Sequence, residues 1–149
     1  MLRLSKLADY ATVILSYMAN ETHMLHTAIE IADFTGIALP TVSKILKLLA
    51  QANVLSSARG AKGGYRLART PDKISVAAVI RAMDGPIAIT ECSISEQHCE
   101  QAGGCKIRAN WSLINKTINN ALEAVTLADM VMPTVLPEEV TIPVASLYR

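Results

Sequence analysis

At 149 residues the chain has the size of one domain and can bury a sizeable core. Its hydrophobic share of 51% against 18% charged excludes an intrinsically disordered or low-complexity chain. The net charge of +1 hides a split: residues 42–73 hold Lys44, Lys47, Arg59, Lys62, Arg66, Arg69 and Lys73 against Asp72 alone, a local +6 that leaves −5 for the rest.

That asymmetry is either a polyanion-binding face or a solvated surface that happens to be basic. A mean hydropathy of +0.31, with no apolar run near the ~18 residues of a membrane span, points to apolar surface hidden between subunits. The opening MLRLSKLADYATVILSYMA mimics a signal peptide, but Asp9, Thr12 and Ser16 interrupt its apolar stretch. We read it as a helix of a mature, cytoplasmic protein.

The first helix is predicted from about Ser5 to Asn20, with Leu4, Leu7, Ala11, Ile14, Leu15 and Met18 forming one apolar stripe at spacings of three and four. Residues 22–26 read as a connection, and neither His23 nor His26 is assigned a role. Thr27, three residues before Glu30, has the pattern of a capping box for a second helix over Ala28–Phe34 that ends at Gly36. A third starts near Pro40, whose missing N–H costs nothing in a first turn, and runs through Val42, Ile45, Leu46 and Leu49 to about Ala52. Two short helices joined by a Gly-containing turn form a helix-turn-helix pattern. Val54–Ala58 and Tyr65–Ala68 are strand-like, and the RGAKGG between them is the basic tip of a hairpin, or wing.

The fold class is therefore mainly α with a small β-wing, a winged helix-turn-helix followed by a long dimerisation helix. Residues 1–83 are expected to form the DNA-binding unit, 84–105 a cysteine-bearing loop, 106–131 the dimerisation helix and 132–149 an extended tail. In the recognition helix Thr41 and Ser43 can donate to phosphates or base edges, while Lys44 and Lys47 supply charge. Arg59 and Lys62 on the wing can reach phosphates or a narrow minor groove. The expected partner is a double-stranded DNA operator, with no membrane and no small-molecule substrate. A fourth helix is predicted over Val76–Met83, stopped by Asp84-Gly85-Pro86, and a long one from about Lys106 or Ile107 to Val125. Trp111, Ile114, Ile118, Leu122 and Val125 form a coiled-coil-like seam on it, suited to a homodimer interface or to packing within its own subunit. Residues 126–131 can add one short helical turn. No acid/base pair, phosphate loop or nucleophile–base spacing is visible, so an enzyme is not expected.

Cys92, Cys99 and Cys105 all fall between Ile87 and Lys106, an odd number that argues against a disulfide framework in a cytoplasmic chain. Polar neighbours argue against core thiols, and Gly103-Gly104 lets the third thiolate fold toward the others. Cys105 also precedes a helix start, where the dipole favours thiolate. Soft thiolates on one loop suit iron–sulfur or zinc.

The wing RGAKGGYRLA, the opening LRLSKLADYA and the three-cysteine loop before a Trp-containing helix resemble the Rrf-two family of bacterial regulators over roughly the first 131 residues. The opening is most similar to the subgroup that regulates the SUF iron–sulfur assembly system. The resemblance implies a homodimeric winged-helix regulator holding an iron–sulfur cluster, 2Fe–2S or 4Fe–4S, on Cys92, Cys99 and Cys105. IscR-type members place a His three residues after the third Cys, where CKIRANW has Arg108, which cannot ligate iron. NsrR-type members use an Asp from the partner's first helix, and Asp9 in LADYA matches it; His98, beside Cys99, is its rival. Without that match, Asp9 is an acid favoured by the dipole of a first turn. The implied function is a cluster-sensing regulator, a repressor of iron–sulfur assembly genes. Its alternatives are a nitric-oxide-sensing repressor, a cluster-free thiol sensor and, in a different class, a zinc-stabilised interaction module.

Overall fold

The computed structural model describes residues 3–60, 62–94 and 104–132. Helix α1 spans Lys6–Ala19, and the Ser5 hydroxyl caps it by accepting from the Ala8 amide at 3.0 Å. It buries Ala8, Ala11, Ile14, Leu15 and Met18. Leu4, expected at the head of that stripe, is 51% exposed because it precedes the first helical turn, and Ala8 takes its place in the core. Helix α2 (Ala28–Thr35) begins with the expected capping box between Thr27 and Glu30. It stops at Gly36, whose φ of 70° lies in the left-handed region that glycine adopts without strain.

Helix α3 (Leu39–Gln51) buries Val42, Ile45, Leu46 and Leu49 against α1 and α2. Its C-terminus is a Schellman motif: Asn53 takes φ 57°, its amide donates to Ala50, and the Val54 amide donates to the Leu49 carbonyl at 2.9 Å. That reversal feeds strand β1 (Leu55–Ala58), which pairs antiparallel with β2 (Gly64–Leu67) in the register Leu55↔Leu67 to Ala58↔Gly64. The α1–α2 connection is more than a loop. His26 exchanges both backbone hydrogen bonds with Tyr65, at 2.8 and 2.9 Å, and so adds a single-residue third rung to the wing. A Cβ on Gly64 would stand 2.7 Å from the His26 carbonyl oxygen, so this approach requires glycine.

A 3-10 turn over Pro71–Lys73 leads into α4 (Val76–Asp84), capped by Ser75. The stretch expected to be irregular after it contains one turn of helix, α5 (Glu91–Ile94). Helix α6 (Arg108–Ala124) packs on α4 and α5, and α7 (Leu127–Val131) returns to α1. Thr126 bridges to Ser75, and Leu127 is 2% exposed within the main core. The end of the segment expected to serve dimerisation is thus part of the main core, together with residues of the unit expected to bind DNA. The tail from residue 133, Cys99 and His98 lie outside the described residues.

Candidate nucleic-acid interface and cysteine site

Four helices, α1, α2, α4 and α7, begin with a hydroxyl side chain that accepts from the first turn. Helix α3 does not. Its cap is Ala38, its first turn holds no acid, and Pro40 removes one amide. The Thr41 and Val42 amides both close on the Ala38 carbonyl, so the first turn of α3 is satisfied by backbone and carries no acidic side chain. Ser43, Lys44 and Lys47 are exposed on this helix and Thr41 is half-buried, with its backbone amide closing a turn on the Ala38 carbonyl at 2.9 Å. On the wing Arg59 and Lys62 are both exposed. Gly60, at φ 111°, lets the tip turn back so that the Gly63 amide donates to its carbonyl at 2.9 Å.

Helix α6 also lacks a side-chain cap, and Cys105 lies two residues before its cap residue Ile107, with its carbonyl accepting from the Arg108 amide at 3.4 Å. Cys105 and Cys92 are half-buried free thiols. Cys92 sits on α5, where Thr90 Oγ1 lies 3.2 Å from its Sγ and 2.8 Å from Ser93 Oγ. The segment leading to it is pinned to α6 by two residues that the sequence reading passed over. Asn115 accepts from the Ile89 amide at 3.1 Å and donates to the Ile87 carbonyl at 3.3 Å, and Asn119 donates to the same carbonyl at 3.2 Å. Their signal was present in the sequence: two amides four apart, on the face otherwise occupied by the seam.

Among the described residues no three His, Cys, Asp or Glu side chains gather at metal-binding range, Cys99 lying outside them. The chemistry of the donor set fits a thiophilic centre nonetheless: two half-buried free thiols, one of them two residues before a helix cap. Asp9 is exposed in the first turn of α1, and its carboxylate has no hydrogen bond or ion pair among the described residues.

On the seam, Trp111, Ile118 and Leu122 are half-buried against the subunit's own elements, whereas Ile114 and Val125 are 39% and 40% exposed. No residue of α6 is buried. The guanidinium of Arg81 pairs with Glu123, and the Ser75 hydroxyl together with Arg81 holds the Glu123 carboxyl below its usual range. No helix among the described residues is long and apolar enough to cross a membrane.

A family model described as Rrf2, iron-dependent transcriptional regulator, matches residues 4–133. IscR of Erwinia tasmaniensis is 28% identical over 131 residues, 87% of this chain and 79% of that protein. IscR of Aliivibrio salmonicida is 29% identical over 69% of this chain, and the match spans only 61% of that regulator's length. Among solved structures, CymR, the global cysteine regulator of B. subtilis, aligns with a TM-score of 0.66 at 26% identity, covering 88% of this chain and 97% of CymR. IscR of T. potens aligns at 0.65 and 27% identity, covering 87% and 86%. With its helical core, two-stranded wing and these relatives, the chain belongs to the Rrf2 family of winged-helix transcriptional regulators, which are not enzymes.

Proposed function

We propose that the protein is an iron–sulfur-dependent repressor of iron–sulfur assembly genes that binds operator DNA as a homodimer. The observation that carries the reading is the placement of Cys92 and Cys105, each tied to α6: Cys92 through the asparagine-pinned segment, and Cys105 at the helix's own start. Cys92, Cys99 and Cys105 hold the cluster, with Asp9 of the partner subunit as the fourth ligand. When bound, the cluster supplies a centre sensitive to iron supply, oxygen or nitric oxide.

The rest is done by the chain. Asn115 and Asn119 couple the position of residues 87–89 to α6. Helix α6 is joined to α4 by Arg81 and Glu123, and to the core by the Ser75–Thr126 bridge. The partly exposed Ile114 and Val125 extend the seam toward a second copy, so the setting of α6 fixes the separation of the two recognition helices. Thr41, Ser43, Lys44 and Lys47 enter the major groove, and Arg59 and Lys62 hold the flanking backbone.

Anaerobic purification tests the reading. A coloured protein containing iron and acid-labile sulfide, which loses both on Cys92→Ala, is the expected result; zinc without iron contradicts it. A second reading, a cluster-free regulator that responds through its thiols, draws on Arg108 at the position of the IscR-type histidine and on the likeness to CymR. A colourless protein with full DNA binding favours it.

A further inference from the structure

The cross-strand pair Ser56↔Arg66 sits at the base of the wing, and Arg66 Nε donates to Ser56 Oγ at 3.4 Å. That bond uses the inner N–H of the guanidinium and does not engage the outer fork of four N–H groups. The His26–Tyr65 hydrogen bonds hold the end of the α1–α2 connection against the same hairpin. As a result Thr22 and His23 face Ser56 and Arg66 across a cleft of about 360 Å³ whose remaining lining is Leu67 and Ala68. All four polar side chains lining it carry hydrogen-bond donors, and none of the lining residues is a carboxylate.

Two hydroxyls, an imidazole and a guanidinium lining one cleft without an acid form a donor set for a tetrahedral oxyanion. The position also suits the polyanion expected at the wing. Ser56 is three residues from Arg59, about 10 Å at the rise of a β-strand, so a polyanion held at the wing tip passes within reach of the cleft. We propose that this cleft is a phosphate-binding site, with Arg66 and His23 as its principal ligands, that takes a backbone phosphate beyond those gripped by the wing tip. The inference rests on the DNA-binding reading for its phosphate source; free inorganic phosphate has the same chemistry, and the test separates the two.

In the first arm, binding of the full-length protein to a short mixed-sequence duplex is measured by fluorescence anisotropy across about 50 to 200 mM salt. Arg66→Gln is expected to reduce the slope of log affinity against log salt by about 0.9. Arg66→Lys, which keeps the charge, and Lys116→Gln, which removes one from α6, are expected to keep the wild-type slope. In the second arm, inorganic phosphate is titrated while the His23 ring resonances are followed, and shifts are expected in wild type and not in Arg66→Gln. Wild-type binding with an unchanged slope in Arg66→Gln overturns the DNA phosphate as ligand, and unmoved His23 resonances overturn the site. Wild type that ignores the duplex sinks the DNA-binding reading itself. His23 shifts in that case retain the cleft as a free-phosphate site.

Discussion

Glu30 gathers more of the fold than any other single carboxylate described. Its Oε1 accepts from the Tyr17 hydroxyl at 2.9 Å and lies 3.2 Å from His26 Nδ1, while Oε2 accepts from the Thr27 amide. One residue thereby joins α1, the start of α2 and the His26 rung of the wing. The Tyr17 hydrogen bond is the main reason its carboxyl titrates below the ordinary 4.5, and the same contact pushes the Tyr17 hydroxyl above 10.0. Because the folded value is the lower one, the stabilisation is complete above 4.5 and is lost as pH falls through the folded value. Glu30→Ala is expected to lose the capping box and the Tyr17 contact, at about 1–2 kcal/mol in urea unfolding at neutral pH. The variant's stability is also expected to decline less than wild type's on acidification; a parallel decline would refute the role. Gly64 offers a second test at this scale. In Gly64→Ala the new methyl meets the His26 carbonyl, so a loss of about 1–3 kcal/mol is expected, with weaker amide protection at His26 and Tyr65. Unchanged protection there would mean that the third rung does not depend on glycine.

At the scale of elements, apolar periodicity and the Thr27 cap made most helices readable, while the Ser5, Ser75 and Thr126 caps emerge only from the structure. Thr27–Glu30 announced α2, Gly36 ended it, and the stripe from Val42 to Leu49 marked α3. The third rung of the wing was not readable, because His26 buries a polar ring in a segment without strand alternation, and only its contacts with Glu30 and the Glu21 carbonyl explain that burial. The asparagine clamp was legible only in half: two amides four apart stand out on the seam face, but their partners are the backbone carbonyl of Ile87 and amide of Ile89, which no side-chain pattern marks. The clamp has a direct consequence. Asn115→Ala leaves the half-buried Ile89 amide without its acceptor, a loss of about 1–3 kcal/mol. Hydrogen exchange is expected to quicken at Ile89 and through α5 while α3 keeps its protection. Equal acceleration in α3 would show general destabilisation instead of a local hinge.

For the whole molecule, the winged-helix frame could be read from the chain because it rests on local patterns. The cysteine site could be read only as a set of residue types. Its geometry depends on Cys99, outside the described residues, and in our proposal on Asp9 of a second subunit, whose approach no single-chain periodicity encodes. What unifies the proposal is mechanical continuity, from the Cys92 segment through Asn115 and Asn119 to α6, and from α6 through Thr126 and Leu127 to the core that carries α3. The most direct test is the affinity of the anaerobically purified protein for a duplex selected from genomic fragments, measured before and after the iron is removed by chelation. The account predicts that affinity changes at least tenfold, about 1.4 kcal/mol, and that Asn115→Ala reduces the change without altering iron content. Equal affinity in the two states, with the iron shown to be present and then absent, would contradict it.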